Sequence, residues 1–554
     1  MVLTALVLIS PTFFFGQISG NDFNFHIASW MEVVHQWHQG VLFPSWAAGA
    51  YNGFGEPRFI FYPPLSWLIG AGLGLVLPWK IVPDVFLFLT LLLAGISMHR
   101  LARSWMSQEA SLAAALIYMT SPYQLVDVYV RSSSAEFLAA AILPLAVLCV
   151  LNCAPGKHMD ASDAVRARCR NIALLSIAYA AVWFTDAPMA VVTSYALAFL
   201  LIILALHRRS FAPLLTGGAG LVLGLLLASA YVIPATFEQR WVDIEQAISQ
   251  GLIFTDSIIF KWMLDPRHSL FNLMISTVAA FEIVVAIAAA MVVRRRAGKT
   301  GTAWVALTAL AVLSALVMLP FTGSLLQYLP KMRFVQFPWR WLIALAVSYS
   351  FFLGGAFVTS RRRLALSSAY LLILAATAAV LCTRFAWWDS EDVPQTLAAI
   401  QTGAGYVGTD EYGPRFRDPS DLPSSAPLVY LLPEGTNQVS SAPRQSMNGN
   451  VSMESWLDQN KVLTVASPLP VVAAVHLLNY PAWQVRVNGQ PAASEADPDT
   501  GQMLLALPSG TSRVEIHFGW TRDRTAGCAL TGVGVLILSC IVFIGWRKSP
   551  LLVQ

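Results

Sequence analysis

Apolar runs of 15 to 23 residues recur along the chain, near 1–18, 62–79, 84–101, 108–122, 135–152, 171–187, 189–206, 212–234, 272–293, 303–320, 338–358, 364–383 and 525–546. Most approach the ~18–20 residues that cross a hydrocarbon core as a helix. Short basic clusters punctuate them: Arg100/Arg103, Lys157 with Arg166/Arg168/Arg170, Arg208/Arg209, Arg294–Arg296 with Lys299, Arg361–Arg363 and Arg547/Lys548. Basic residues between spans mark the cytoplasmic side. From Arg100 onward two runs separate each cluster from the next, which places residues 384–524 on the outer side. The run 62–79 opens on Tyr62-Pro63-Pro64 and carries Gly70, Gly72, Gly74 and Pro78, so it makes a poor, breakable helix. The loop 19–58 holds one basic residue, Arg58, against three acids. A non-crossing 62–79 puts Asp22 outside and leaves about twelve spanning helices.

Two stretches depart from this apolar rhythm. Residues 23–39 alternate at helical spacing, with Ile27, Trp30, Met31, Val34 and Trp37 on one stripe and His26, Ser29, Glu32, Gln36 and Gln39 on the other. This predicts an amphipathic helix lying on the membrane surface. Residues 384–524 turn rich in Pro, Gly, Ser and Asp. They carry β-like runs at Leu428–Leu432, Val462–Ala466, Val471–Leu478, Val485–Val487, Leu504–Leu507 and Val514–Phe518, with Asn488-Gly489 as a hairpin turn. The predicted organisation is a mainly α, polytopic membrane domain over 1–383 with a chemically equipped loop at 19–61. A β-rich extracytoplasmic domain over 384–524 and an anchoring helix with a short cytoplasmic tail over 525–554 complete it.

Composition agrees with this class. Of 554 residues 56% are hydrophobic and 12% charged, and mean hydropathy is +0.60. A soluble protein could not hide that much apolar surface. The net charge of +4 lies in the short clusters and does not point to nucleic acid. None of the six cysteines falls in the polar C-terminal segment, so no disulfide framework or zinc spacing is indicated. The opening run lacks a basic n-region and a cleavage site, and reads as a retained first helix.

Chemistry gathers where the first helix ends. Asp22 suits a general base toward an acceptor hydroxyl, or an N-cap for the helix that follows. His26, Glu32 and His35 suit substrate contact or a solvated face. Asp127, Arg131 and Glu136 crowd what reads as an outer loop. Arg131 offers a planar fork to phosphate oxygens, or joins an ion-pair cluster that fixes helix ends. Asp186 caps the next helix or points into the same cavity. Glu238 and Arg240 read as a solvated surface pair or as substrate contacts. Arg340, between Trp339 and Trp341, clamps a lipid-linked phosphate or snorkels to headgroups. No Walker loop, dinucleotide fingerprint, HExxH or GxSxG element is present. A lone carboxylate with cationic groups at an outer membrane edge suits a sugar donor on a polyprenyl phosphate.

The outline of first helix, acid-headed loop, surface helix and Pro-Pro-Leu element resembles the GT-C superfamily of polyprenyl-phosphate-sugar glycosyltransferases. More closely, Asp22-x-x-x-His26, Pro44-Ser45-Trp46, Gly53-Phe54-Gly55-Glu56-Pro57, Phe61-Tyr62-Pro63-Pro64, Tyr129-Val130-Arg131 with Ala135-Glu136, and Gln336-Phe337-Pro338-Trp339-Arg340 resemble bacterial membrane proteins labelled "6-pyruvoyl-tetrahydropterin synthase-related". Gly408-Thr409-Asp410-Glu411-Tyr412 and Tyr480-Pro481-Ala482-Trp483 extend the likeness. The label does not carry its activity here, because pterin synthases are small soluble zinc enzymes with a histidine triad that this chain lacks. GT-C kinship implies an inverting transferase in the bacterial inner membrane with Asp22 as base. Arg131 and Arg340 would bind the donor phosphate, and His26, Glu32, Arg58, Tyr62, Asp127 and Glu136 would line the sugar and acceptor pockets. The expected partners are a polyprenyl-phosphate-linked sugar, a glycan or lipid acceptor and membrane lipids. No cofactor is expected; a divalent metal is the alternative, although Asn21 stands where many GT-C enzymes carry a second acid. A lipid or polysaccharide transporter and a non-catalytic assembly subunit are the competing readings.

Overall fold

The computed structural model describes residues 1–153, 160–249, 251–297, 301–326, 328–356, 361–435 and 449–546. Lys157, Lys299 and the tail from Arg547 lie outside them. Six described helices are long and apolar enough to cross a membrane: Trp79–Arg103, Ser134–Leu151, Ala187–Arg208, Pro266–Arg296, Ser367–Phe385 and Arg522–Trp546. A seventh crossing is formed if the bent pair Ala212–Leu227 and Ser229–Trp241 counts as one span. The expectation of about twelve also counted shorter apolar helices such as Val2–Phe15 and Thr302–Val317. Helix Ser134–Leu151 is buried along most of its length and forms the centre of the bundle. Arginines close Val82–Arg103, Ala187–Arg208 and Pro266–Ala297 at their C-terminal ends, where cations also suit the helix dipole.

Helix Pro64–Gly74 has 11 residues, so it is about 16 Å long, half a hydrocarbon core. It packs against helix Phe23–His38. The approach is so close that a Cβ on Gly70 would lie 2.1 Å from Trp30.

Two antiparallel sheets follow in the chain. After the short pair β1 (Gln17–Ile18) and β2 (Trp388–Asp389) come β3 (Val429–Pro433), β4 (Asn450–Leu457), β5 (Asn460–Ser467), β6 (Val471–Leu478), β7 (Trp483–Val487), β8 (Gln490–Ala492), β9 (Glu495–Ala496), β10 (Gln502–Leu507) and β11 (Gly510–Phe518). One sheet runs β3-β6-β10-β9 and the other β4-β5-β11-β7-β8. Asn488 and Gly489, both at positive φ, make the tight turn that pairs Val487 with Gln490. β4 carries no clean alternation and is an addition to the strands expected from sequence. Val471, Ala473 and Val475 of β6 join the core shared with β5 and β11, while Val472 and Ala474 pack with Leu432 and Leu504 on the other face.

The amphipathic helix departs from expectation. Its polar stripe is not solvated: His26, Ser29, Glu32 and Gln36 are buried. The stripe faces protein, because loop 45–58 and the C-terminal region cover it. Glu32 accepts the N–H groups of Ala48 (2.8 Å) and Gly49 and the Tyr406 hydroxyl (3.2 Å). Gln36 donates to the Trp46 carbonyl and accepts from Gln459.

Glu238 also departs from the surface-pair reading. It is fully buried, accepts from Tyr480 (2.5 Å), and pairs with Arg524 at 2.9 and 3.1 Å. Arg240 stacks on Phe237 instead. One carboxylate thus fastens the sandwich and the last helix to helix Ser229–Glu238. Removing one member of a buried pair strands the other charge, at about 3–5 kcal/mol. Arg524→Ala should lower the thermal unfolding midpoint of the purified protein sharply, and Arg240→Ala should barely move it.

Candidate functional site

What the sequence presents as a loop at 121–136 is helix. Pro122–Val126 continues into a wide π turn, Asp127–Arg131, and Ser132 at φ 53° reverses the chain into helix Ser134–Leu151. Extra residues in a helical turn re-aim side chains and recur at functional sites. Here the turn brings Asp127 and Arg131 onto one face, 2.7 Å apart.

Glu136, in the first turn of the next helix, collects the cations. It pairs with Arg131 at 2.6 Å and with Arg340 at 2.9 Å, and accepts the Tyr123 hydroxyl at 2.7 Å. Arg340 reaches it from the short helix Pro338–Trp341 and also donates to the Val335 carbonyl and to Gln336. Trp339 covers the Arg131 guanidinium at 4.8 Å. Both arginines therefore end on one carboxylate. Arg131 and Arg340, both expected to bind the donor phosphate, thus meet through Glu136, which is the ion-pair cluster offered as the other reading of Arg131.

Asp22 completes the cluster from the N-terminal side. It holds the N-cap position of helix Phe23–His38, but its side chain makes no capping bond. Its carboxylate instead faces Arg131 at 3.5 Å, with 38% of the side chain exposed against 4% for Arg131. The backbones are locked as well. The Asp22 N–H donates to the Arg131 carbonyl (2.9 Å) and the Gly20 N–H to Ser132 Oγ (2.9 Å). A Cβ at Gly20 would stand 2.4 Å from the Val130 carbonyl oxygen, so only glycine lets the two chain segments meet this closely.

Charge balance explains the remaining acids. Asp22 and Glu136 match Arg131 and Arg340. Burial, reinforced by the Glu136 charge and opposed by Arg131, pushes the Asp127 carboxyl well up. Among the described residues its Oδ2 has no hydrogen-bond partner, nor has His26 Nε2. Both residues line a cavity of about 50 Å³ with Gln17, Asp84, Ser132 and Ser133. Asp186 does cap its helix, through the Met189 N–H at 2.7 Å, and burial raises it to about 6.

His26 and Tyr62 form a separate polar link. His26 Nδ1 and the Tyr62 hydroxyl are 2.6 Å apart, and Ser66 donates to that hydroxyl. Burial lowers His26 to about 4, against the pull of Asp22.

Glu32 and Arg58 are not in this cluster. Arg58 pairs with Glu56 at 2.6 Å, donates to Ser29 and lies over Phe25. Glu56 accepts the Thr409 N–H at 2.7 Å, Tyr51 donates to the Thr409 carbonyl, and Phe61 stacks on Tyr412. The 53–57, 61–64 and 408–412 motifs are thus one interface. Tyr123 and Gln336 are the side chains the sequence left without a role. Their signal was only adjacency to Arg131 and Arg340.

A second cavity, about 360 Å³, is apolar. Phe43, Phe59, Leu65, Phe184, Tyr231 and Trp520 line it, with Arg524 and Ser45 as polar members. Phe184 stands two residues before Asp186. Among the described residues no three His, Cys, Asp or Glu side chains gather as metal ligands.

A family model described as "6-pyruvoyl-tetrahydropterin synthase related domain; membrane protein" matches residues 59–386, more than half of the chain. The match includes Arg131, Glu136 and Arg340 and begins after Asp22. No curated protein matches the sequence. Among solved structures, the arabinofuranosyltransferase AftD from Mycobacteria aligns over 71% of this chain and 27% of its own, at 18% identity and TM-score 0.45. The Archaeoglobus fulgidus oligosaccharyltransferase aligns over 74% and 56%, at 12% identity and TM-score 0.40. ArnT from Cupriavidus metallidurans bound to undecaprenyl phosphate aligns over 76% and 90%, at 13% identity and TM-score 0.31. This chain spans about a quarter of the first of these and about half of the second.

The low value at His26 sets a pH dependence. Unfolded His26 takes a proton as pH falls through about 6.5, whereas folded His26 does so only near 4. Its neutral burial is therefore compatible with folding above about 6.5 and costs up to about 3 kcal/mol by pH 4. Thermal melts of the wild type should lose stability across that window, and His26→Gln should flatten the slope.

Proposed function

We infer that this chain, which belongs to the 6-pyruvoyl-tetrahydropterin synthase-related family of membrane proteins, is an integral-membrane glycosyltransferase. It moves a sugar from a polyprenyl-phosphate donor to a glycan or lipid acceptor. The observation that carries the reading is Asp22: a half-open carboxylate that caps nothing and meets a buried guanidinium at 3.5 Å. That contact is the longest of the three Arg131 makes to carboxylates. It is the one a donor phosphate exchanges for.

In the transfer, phosphate takes that edge of Arg131 and Asp22 turns to the acceptor hydroxyl. The acceptor oxygen attacks the anomeric carbon, the bond from that carbon to the phosphate oxygen breaks, and polyprenyl phosphate leaves. Asp22 accepts the hydroxyl proton, and the configuration inverts. Glu136 and Arg340 hold Arg131 in place, which is electrostatic preorganisation toward the leaving phosphate. His26, Tyr62 and Asp127 border the sugar. Glu32 and Arg58 serve the site by fixing helix Phe23–His38. The step as written uses no cofactor.

The apolar groove beside Phe184 suits the first isoprene units of the donor, since its lining is mostly apolar and Phe184 stands two residues from Asp186. The reading sets the site and the sandwich on the extracytoplasmic side of a bacterial inner membrane. Helix Pro64–Gly74 does not cross, and helices Val2–Phe15, Gln108–Met119, Ala161–Trp183, Thr302–Val317 and Leu342–Ala356 bring the crossings to about twelve. Residues 1–383 form the transfer domain, 384–524 the acceptor-facing domain and 525–554 the anchor.

General-base catalysis contributes about 10²–10⁴-fold. Purified Asp22→Asn should therefore lose at least about 100-fold in sugar transfer from a polyprenyl-phosphate donor, with its melting point preserved. A folded Asp22→Asn protein that keeps full activity in cells would leave a transporter or assembly subunit as the better account.

A further inference from the structure

Three buried polar atoms behind the charge cluster have no hydrogen-bond partner among the described residues: His26 Nε2, Trp30 Nε1 and Asp127 Oδ2. Their residues are 5%, 2% and 1% exposed, and all three line the cavity of about 50 Å³. Each such group costs about 1–3 kcal/mol if left unsatisfied, and native interiors hold few of them. Ser66 donates to the Tyr62 hydroxyl, which gives its own proton to His26 Nδ1. Neutral His26 therefore carries its proton on Nε2. The cavity thus brings together two N–H donors and one carboxyl oxygen.

Much of the remaining wall is apolar, with Ile27, Phe86, Leu87 and Phe137. The volume is room for roughly three to five waters, and not for a sugar ring. A water needs two to four polar partners. The three unpaired atoms serve one water, or one hydroxyl, and leave the rest of the space against hydrocarbon. An ammonium group has nothing with which to accept the two N–H groups. A carboxylate meets two acids, Asp84 and Asp127, in the same lining. A secondary amide with a methyl group answers all three features. Its carbonyl accepts from His26 and Trp30, its N–H donates to Asp127, and its methyl packs on the apolar wall.

Asp127 holds Arg131 with Oδ1 at 2.7 Å, and Oδ2 is the unpaired oxygen. One carboxyl group therefore separates the cavity from the guanidinium that meets the donor phosphate. That phosphate sits on C1 of the sugar, and the neighbouring carbon that carries a substituent is C2. We propose that this cavity receives the acetamido group of a 2-acetamido-2-deoxy sugar on the polyprenyl-phosphate donor, with His26, Trp30 and Asp127 as its specificity-determining residues. The assignment rests on the glycosyltransferase reading of the site and names its substrate class.

Binding of synthetic polyprenyl-phosphate sugars to the full chain in lipid nanodiscs tests this, with turnover measured beside it. The probes are two pairs, N-acetylglucosamine against glucose and N-acetylmannosamine against mannose. The expected result is at least about tenfold tighter binding of the acetamido donor in one pair. Trp30→Phe keeps a ring against Gly70 and Phe86. It should erase most of that preference and leave the affinity for the hydroxyl donor unchanged. If Trp30→Phe does not fold, Leu87→Phe fills the cavity from its apolar wall and should weaken the acetamido donor alone. Equal binding within both pairs, a preference that survives these variants, or no binding of any probe overturns the proposal. Turnover without preference rejects this pocket and keeps the transferase. Preference without turnover keeps the pocket and rejects the transferase.

Discussion

The convergence of Arg131 and Arg340 on Glu136 is the constraint around which this end of the bundle is built. The two guanidinium groups and the carboxylate are buried, and none of them is tolerable there without the others. They come from three places far apart in sequence: a π turn, a helix start and the short helix Pro338–Trp341. The three elements must meet for any of the charges to be accommodated. Asp22 is hung on this core by one long ion contact and by its main-chain bond to Arg131. It is the member left open to solvent in an otherwise closed network.

A second polar system does a different job. Glu32, Gln36, Glu56 and Arg58 spend their hydrogen bonds on loop 45–58, Thr409, Tyr406 and Gln459. They bind helix Phe23–His38 to the C-terminal region, and so fix the angle at which Asp22 leaves that helix. His26 and Tyr62 lie between the two systems. Movement of the sandwich against the bundle would reach Asp22 through this helix.

Sequence reasoning reached those features whose cause is local. Apolar runs long enough to be spans are visible because hydrocarbon demands them. The Asn488-Gly489 turn is visible because few residue pairs accept positive φ twice. The grouping of Asp22, Arg131 and Arg340 was legible because charged residues beside apolar runs are scarce. What stayed hidden depended on contacts. The helix through residues 122–131 reads as loop because Pro122 and Ser132–Ser133 flank it. The stripe of Phe23–His38 reads as solvated because its partners lie off the helix, at Ala48, Trp46, Arg58 and Tyr62 and, more than 350 residues away, at Tyr406 and Gln459.

The chain by itself determined that it lives in a membrane, where its sandwich lies and which few charges are available for chemistry. These follow from the free energy of single residues and short segments in water or hydrocarbon. Tertiary structure alone decided how those charges are shared. It gave both arginines to Glu136, set Glu32, Arg58 and Glu238 in polar networks of their own, and left Asp22 half-open. Pairing is a property of distance, and distance between remote residues is set only when the helices and the sandwich close on one another.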